Sequence, residues 1–284
     1  VTEVKQNKKP KQNWPLLNPS TTVPTEIDMK KLAVSVVLAL AASGVHAKDL
    51  QVIRFGVDPT YAPFESKAPD GSLVGFDIDL GNAICEKLKV KCVWVENSFD
   101  GIIPALKAKK FDGILSSMSV TEKRQAQIAF SDKISNVLPR LLAKKGSDLL
   151  PTPESLQGKR VGIEQGSTSE TYARAYWAPK GVTVMTYQNQ DMVYQDLMAG
   201  RLDAALQSSV QADLGFLKTA NGRDFAFAGP ELRDPKTLGV GAGIGLRKED
   251  NELREQINGA LAEIIKDGTY QTISDKYFSF DVYN

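Results

Sequence analysis

The stretch LKAKKFDGIL, residues 106–115, recurs almost position for position as LMAGRLDAAL, residues 197–206. Each copy reads as a helix end, a basic turn, an aspartate (Asp112, Asp203) and a short buried strand. Serines follow both strands: Ser116 and Ser117 directly after Leu115, Ser208 and Ser209 one residue beyond Leu206. A second echo lies close by. Ser119-Val-Thr-Glu122 and Ser167-Thr-Ser-Glu170 both fit S-x-x-E, the capping-box signature of a helix start. Two halves of like design, each offering a helix N-terminus rimmed with hydroxyls, predict two lobes facing each other. Duplication and convergence of ordinary αβ units both remain open as origins, and the two-lobe reading stands under either.

Outward from this echo, strand and helix patterns alternate. QVIRFGV (51–57), CVWV (92–95), DGILS (112–116), RVGIE (160–164), VTVMTY (182–187), LDAALQ (202–207) and FAFAG (225–229) read as strands. FDIDLGNAICEKL (76–88) places Phe76, Leu80, Ala83/Ile84 and Leu88 at helical spacing, and IIPALKAKK (102–110) returns to helix. GVGAGIGL (239–246) reads as extended and glycine-rich, and an amphipathic helix then runs from an N-cap at Asp250 to a stop at Gly268. This alternation predicts open α/β sheets.

The chain has 284 residues, 42% hydrophobic and 24% charged, with net charge +1. That composition is ordinary for a globular protein and gives no reason to expect a nucleic-acid partner. Met29-Lys30-Lys31, the apolar run Leu32–Val45 and the small residue Ala47 read as a secretory signal peptide (29–47) cut after Ala47, with an uncleaved anchor as the alternative. The run is shorter than the roughly 18 residues of a membrane span. Residues 1–28 read as an upstream, disordered segment.

Cleavage would remove His46, the only histidine. A chain without histidine has no Ser-His or Cys-His nucleophile and no histidine-ligated zinc, so neither catalytic residue nor cofactor is expected. Cys85 and Cys92 survive cleavage, and in an exported chain a close pair reads as a disulfide contributing about 2 kcal/mol; two buried thiols are the alternative.

The run ILSSMSVTEKR (114–124) ends a strand, sets out Ser116, Ser117 and Ser119, and opens a helix carrying Arg124. Unpaired N–H groups at a helix start, with an arginine fork beside them, suit a carboxylate. Gln165-Gly166-Ser167-Thr168 offers similar donors from the other half. Asp58, Tyr61 and Phe99 follow strands, where an open α/β sheet places its ligands. Two capped helices and a surface arginine are the bland alternative, and the aromatic residues read equally well as core.

FGVDPTYAPF, GFDIDLGNAICEKLKVKC, SSMSVTEKR, EQGST, GRLDAALQ, FAFAGP and KYFSFDVY together resemble the lysine/arginine/ornithine-binding and histidine-binding periplasmic proteins, which serve polar amino-acid ABC transporters. The resemblance covers residues 48–284 in order. It implies a two-lobed α/β binding-protein fold, with residues 48–135 and 242–284 in lobe 1, 140–232 in lobe 2, and hinge crossovers at 136–139 and 233–241. It implies a periplasmic, monomeric, non-enzymatic protein that passes a basic amino acid (arginine, lysine, ornithine or histidine) to an inner-membrane permease. By matching position, Arg124 would pair with the ligand carboxylate, helped by the Ser119 and Thr168 N–H groups. Ser117 and Ser119 would accept from the ammonium, Tyr61 and Phe99 would sandwich the side chain, and Asp58 would attract its distal cation. Ser116, Ser167 and Ser169 would line the remainder.

Two positions depart from that family's pattern. Ser208 stands where an amine-binding aspartate is usual, and Glu164 where a leucine is usual. The loss at Ser208 opens an opine as a rival ligand, and Glu164 in a cleft opens a cyclohexadienyl dehydratase-like enzyme as a rival activity. With Asp58, Glu164 and Arg124 the site carries one net negative charge, which favours a monocationic amino acid, with Glu164 taking over part of the missing carboxylate's work.

Overall fold

The computed structural model describes residues 50–284, which form one compact unit. The signal-peptide reading and the upstream segment lie outside the described residues. Two five-stranded sheets organise the fold, and the chain passes between them twice.

The first sheet starts with β1 (Val52–Val57), whose Ile53, Phe55 and Val57 are fully buried on one face of the strand. A small sheet of β2 (Thr60–Tyr61), β3 (Glu65–Lys67) and β4 (Leu73–Val74) follows, then α1 (Phe76–Lys87). Phe76, Leu80 and Ile84 bury one stripe of α1 at helical spacing. β5 (Lys91–Glu96) pairs parallel to β1, and the Cys85–Cys92 disulfide ties it to α1. Next come α2 (Ile102–Lys107), β6 (Gly113–Ile114), the single-turn α3 (Glu122–Gln125) and β7 (Ala129–Ser135). Residues 136–138 then carry the chain to the second sheet.

That sheet holds β8 (Pro139–Lys144), β9 (Arg160–Glu164), β10 (Thr183–Tyr187), β11 (Ala204–Ser208) and β12 (Phe225–Glu231). Its helices are α4 (Pro153–Leu156), α5 (Thr168–Tyr176) and α6 (Gln190–Met198), followed by a π-helical segment, Gln211–Leu217. Residues 232–241, containing α7 (Pro235–Leu238), return the chain to β13 (Ala242–Leu246) in the first sheet. α8 (Asn251–Lys266) and α9 (Thr269–Tyr277) pack back onto α1.

Strand order is β5-β1-β6-β13-β7 in one sheet and β10-β9-β11-β8-β12 in the other. In both, three strands pair parallel and one strand, β13 or β8, runs antiparallel between the third and the last. The echoed aspartates explain part of this likeness. Asp112 accepts from the Arg54 N–H and Nε at 3.1 and 2.9 Å, and Asp203 accepts from the Arg160 N–H and Nε at 2.7 and 3.3 Å. Asp112, just before β6, is thus tied to β1, and Asp203, just before β11, to β9, so the repeat is a structural rivet.

Several details differ from the sequence reading. The strand at 112–116 shrinks to Gly113–Ile114, although the Leu115 N–H still donates to Gly56 O of β1 at 3.1 Å. The extended run at 239–246 is strand only from Ala242, since Gly239 and Gly241 take positive φ before it. Asp250 is the N-cap residue of α8 but makes no side-chain cap bond; its carboxylate pairs with Arg247 at 2.6 Å instead. Ser167 caps α5 as its box predicts, accepting from the Glu170 N–H at 3.1 Å, while Glu170 accepts from Gly166 N–H. Ser119 caps nothing. It lies in a bridge with Ala242, and the cap of α3 is Thr121, which accepts from the Arg124 N–H. The antiparallel bridge holds Ser119 extended two residues too early to reach the helix.

Candidate functional site

The carboxyl ends of β1, β6, β9 and β11 converge on one cleft between the sheets. Asp58, Tyr61, Phe99, Ser116, Ser117, Ser119, Arg124, Glu164, Ser167, Thr168, Ser169 and Ser208 all line it. Sequence reasoning missed Glu65, Gln190, Gln207 and Gln211, which line it too.

Arg124 dominates the electrostatics. It is 8% exposed, and burial alone lowers its guanidinium to about 10, so it stays cationic at neutral pH. Nη1 donates to Ser119 O at 2.8 Å and Nη2 to Gly166 O at 3.1 Å, a bond that spans from one lobe to the other. The guanidinium carbon stands 5.4 Å from the Phe99 ring centroid, within cation–π range. No carboxylate lies within ion-pair distance of it among the described residues. A buried guanidinium held only by carbonyls and a ring face is electrostatically incomplete, and an anion in the cleft completes it.

Around it the first sheet's loops are tightly cross-linked. Asp58 accepts from Thr60 Oγ1 at 2.7 Å and from the Phe99 N–H at 2.8 Å, while its own N–H donates to Ser116 Oγ at 3.0 Å. Burial, the largest influence, still raises its carboxyl above the usual range. Ser116 Oγ donates to Glu65 Oε1 at 2.7 Å. Ser117 takes the left-handed conformation, φ 46°, and both its N–H and its Oγ donate to Asp77 Oδ2, at 2.6 and 3.1 Å.

The second sheet's side is looser. Glu164 faces the cleft rather than solvent, 8% exposed and without a cation partner among the described residues. Burial first, then the charges of Asp58, Asp100 and Asp191, push it up to about 8. Gln190 and Gln207 are buried with neither end of either amide hydrogen-bonded, and Gln211 Oε1 is likewise unpartnered. Gln211 Nε2 reaches Thr60 O at 3.4 Å on the opposite lobe. Buried amides rarely go unsatisfied, so these groups await polar atoms from something that fills the cleft. The N-terminal turn of α5 adds the unpaired N–H groups of a helix start, at Thr168 and Ser169. Tyr61 contacts Ser208, and its hydroxyl is raised by burial.

Among the described residues no group of three or more His, Cys, Asp and Glu is placed to hold a metal ion. Nor is any helix there long and apolar enough to cross a membrane.

Two open α/β lobes around a cleft with buried, complementary, unpaired charges define a ligand-capturing protein. The chain belongs to the bacterial extracellular solute-binding proteins, family 3, matched over residues 53–280. It is 55% identical over 258 residues to the histidine-binding periplasmic protein of Escherichia coli (strain K12), covering 90% of this chain and 99% of that protein. It is equally close, 55% over the same shares, to that organism's lysine/arginine/ornithine-binding periplasmic protein. An L-arginine-binding protein of Pseudomonas aeruginosa is 47% identical over 90% of this chain and 99% of its own length. Among solved structures, an ancestral arginine-binding protein bound to arginine matches with TM-score 0.75 and 39% identity, over 80% of this chain and 98% of that one. An ancestral amino acid-binding protein described as a precursor of cyclohexadienyl dehydratase matches at TM-score 0.71 and 32% identity, over 80% and 96%.

Proposed function

We propose that this protein is a periplasmic, monomeric, non-enzymatic receptor that captures a basic amino acid and delivers it to an ABC transporter permease. Arginine, lysine and ornithine are the primary ligands, with histidine in the same class. The observation that carries this reading is a pair of unpartnered groups in one cleft: the Arg124 guanidinium without an anion, and the Glu164 carboxyl, which holds its proton while no cation stands beside it. An amino acid with a cationic side chain supplies both partners at once.

Arg124 takes the α-carboxylate in its fork, with the α5 helix start adding N–H donors. Ser117 and Ser119 offer oxygen acceptors to the α-ammonium. Tyr61 and Phe99 flank the aliphatic stem, Asp58 faces the distal cation, and Glu164 on the other lobe takes over part of the work of the aspartate absent at Ser208. Residues 136–139 and 233–241 act as the hinge on which lobe 1 (48–135 and 242–284) and lobe 2 (140–232) close. The relatives named for arginine, lysine, ornithine and histidine support the ligand class.

A thermal-shift panel of amino acids and opines, with prephenate and arogenate included, tests this. A ligand at a hundred times its dissociation constant stabilises by about 2.7 kcal/mol. The expected result is a clear upward shift with arginine, lysine or ornithine and no turnover of the two dehydratase substrates. A shift with opines alone, or formation of an aromatic product, overturns the reading.

A further inference from the structure

On the first lobe lies a carboxyl pair that the ligand contacts above do not use: Glu65, which lines the cleft, and Asp77 behind it. Glu65 on β3 is 1% exposed and Asp77, in the first turn of α1, is fully buried. The two side chains lie within hydrogen-bonding reach of each other, and burial raises both above the ordinary carboxylate range. Their remaining oxygens divide cleanly. Glu65 Oε1 accepts from Ser116 and Asp77 Oδ2 accepts twice from Ser117, while Glu65 Oε2 and Asp77 Oδ1 have no donor. The ionisable groups around the pair are Asp58 after β1, Tyr61 on β2 and Tyr270 on α9; no lysine or arginine forms an ion pair with either carboxyl among the described residues.

We infer that Glu65 and Asp77 hold a single proton between them and act as positioning residues, setting Ser116 and Ser117 and placing one fixed negative charge under the ligand's amine. Two adjacent buried carboxyls cannot both be ionised, and a single proton held by the pair lets one carboxyl donate to the other. Asp77 keeps the charge, because it accepts two hydrogen bonds from Ser117 and sits at the N-terminus of α1, where the helix dipole favours an anion. Ser117 spends its hydroxyl proton on Asp77, which leaves its lone pairs for an ammonium and holds its left-handed backbone in place. The charge absent at Ser208 is thereby supplied from below.

The identity of the ligand rests on the proposed function; the shared proton does not. Infrared spectroscopy of the unliganded Glu164→Gln variant, which lacks the Glu164 carbonyl band, should show the band of a buried protonated carboxyl that is lost when Glu65→Gln is added. Calorimetry with arginine should show an asymmetry. Glu65→Gln, whose amide N–H replaces the carboxyl O–H, weakens binding by about threefold or less, while Asp77→Asn weakens it about tenfold or more. A band that persists in the Glu164→Gln, Glu65→Gln double variant removes the shared proton, and this holds even if Asp77→Asn does not fold. Equal losses in the two variants, or none in either, assign the pair to the fold alone. If the wild-type protein binds no basic amino acid, the functional reading fails while the infrared result still decides the proton.

Discussion

The two walls of the cleft are built from like sheets and finished in opposite ways. On the first lobe the loops are tied internally, Asp58, Ser116 and Ser117 to Thr60, Phe99, Glu65 and Asp77, with Arg124 and one oxygen each of Glu65 and Asp77 left open. On the second, Glu164 lacks a counter-ion and the buried amides of Gln190 and Gln207 make no hydrogen bond. A wall of the first kind is set before any ligand arrives. One of the second kind becomes satisfied only when the cleft is filled, so the ligand itself is the missing part of the second lobe's polar network.

Arg124→Ala breaks this comparison most severely, because it removes the one charge that serves both walls. Truncating one partner of a buried charge pair costs about 2–5 kcal/mol, so arginine affinity measured by calorimetry should fall roughly thirtyfold or more. Arg124→Lys recovers only part, since an ammonium has no planar fork with which to hold Ser119 O, Gly166 O and a carboxylate together.

Glu164→Gln sharpens the comparison through pH. In the unliganded protein Glu164 holds its proton up to about pH 8, and a bound cation draws it off. Arginine affinity should therefore rise by up to about tenfold per pH unit as pH approaches 8, with proton release visible in calorimetry across buffers. The variant should flatten that rise and bind about tenfold more weakly at pH 8. The stability effect has the opposite direction. The folded carboxyl is raised, so its contribution is complete below the ordinary carboxylate range and is lost as pH climbs through about 8; Glu164→Gln should remove that decline from melting curves of the unliganded protein.

The Cys85–Cys92 bridge stiffens only the first lobe, tying α1 to β5. Replacing both cysteines with serine should cost about 2 kcal/mol, a melting-temperature drop of several degrees, with far less effect on affinity. The smallest expected change is a gain. Ser208→Asp gives the second wall a fixed charge of its own and should tighten primary α-amino acid binding by up to about tenfold. No change in calorimetry would mean that Glu164 and the carboxyl pair already meet the amine's needs.

Much of this architecture can be read from residue patterns because the signals are local. The repeated aspartate after a basic turn, the serines beyond each strand and the Ser167 box all follow from spacing within ten residues or so. Arg124 and Glu164 were legible as chemistry but not as partners, since nothing in a linear pattern says which charges lack a counter-ion. Glu65 and Asp77 were not legible at all. An acid in a three-residue strand and another in a helix's first turn are ordinary surface features, and only the packing of α1 beneath the serine loop buries them. Gln190, Gln207 and Gln211 were hidden for a similar reason: whether an amide is orphaned depends on the opposite lobe. Ser119 misled because a capping signature is blind to a bridge with Ala242, more than a hundred residues away.

Gly166 has the last word on how tightly the molecule can shut. Its φ is +79°, and a methyl group added there would come within 2.9 Å of the Asp100 backbone across the cleft. The seam between the lobes thus closes main chain against main chain at a spot whose clearance is set by a missing carbon. Because the same residue's carbonyl receives Arg124, the time a captured solute stays aboard is tied to how often that one seam parts.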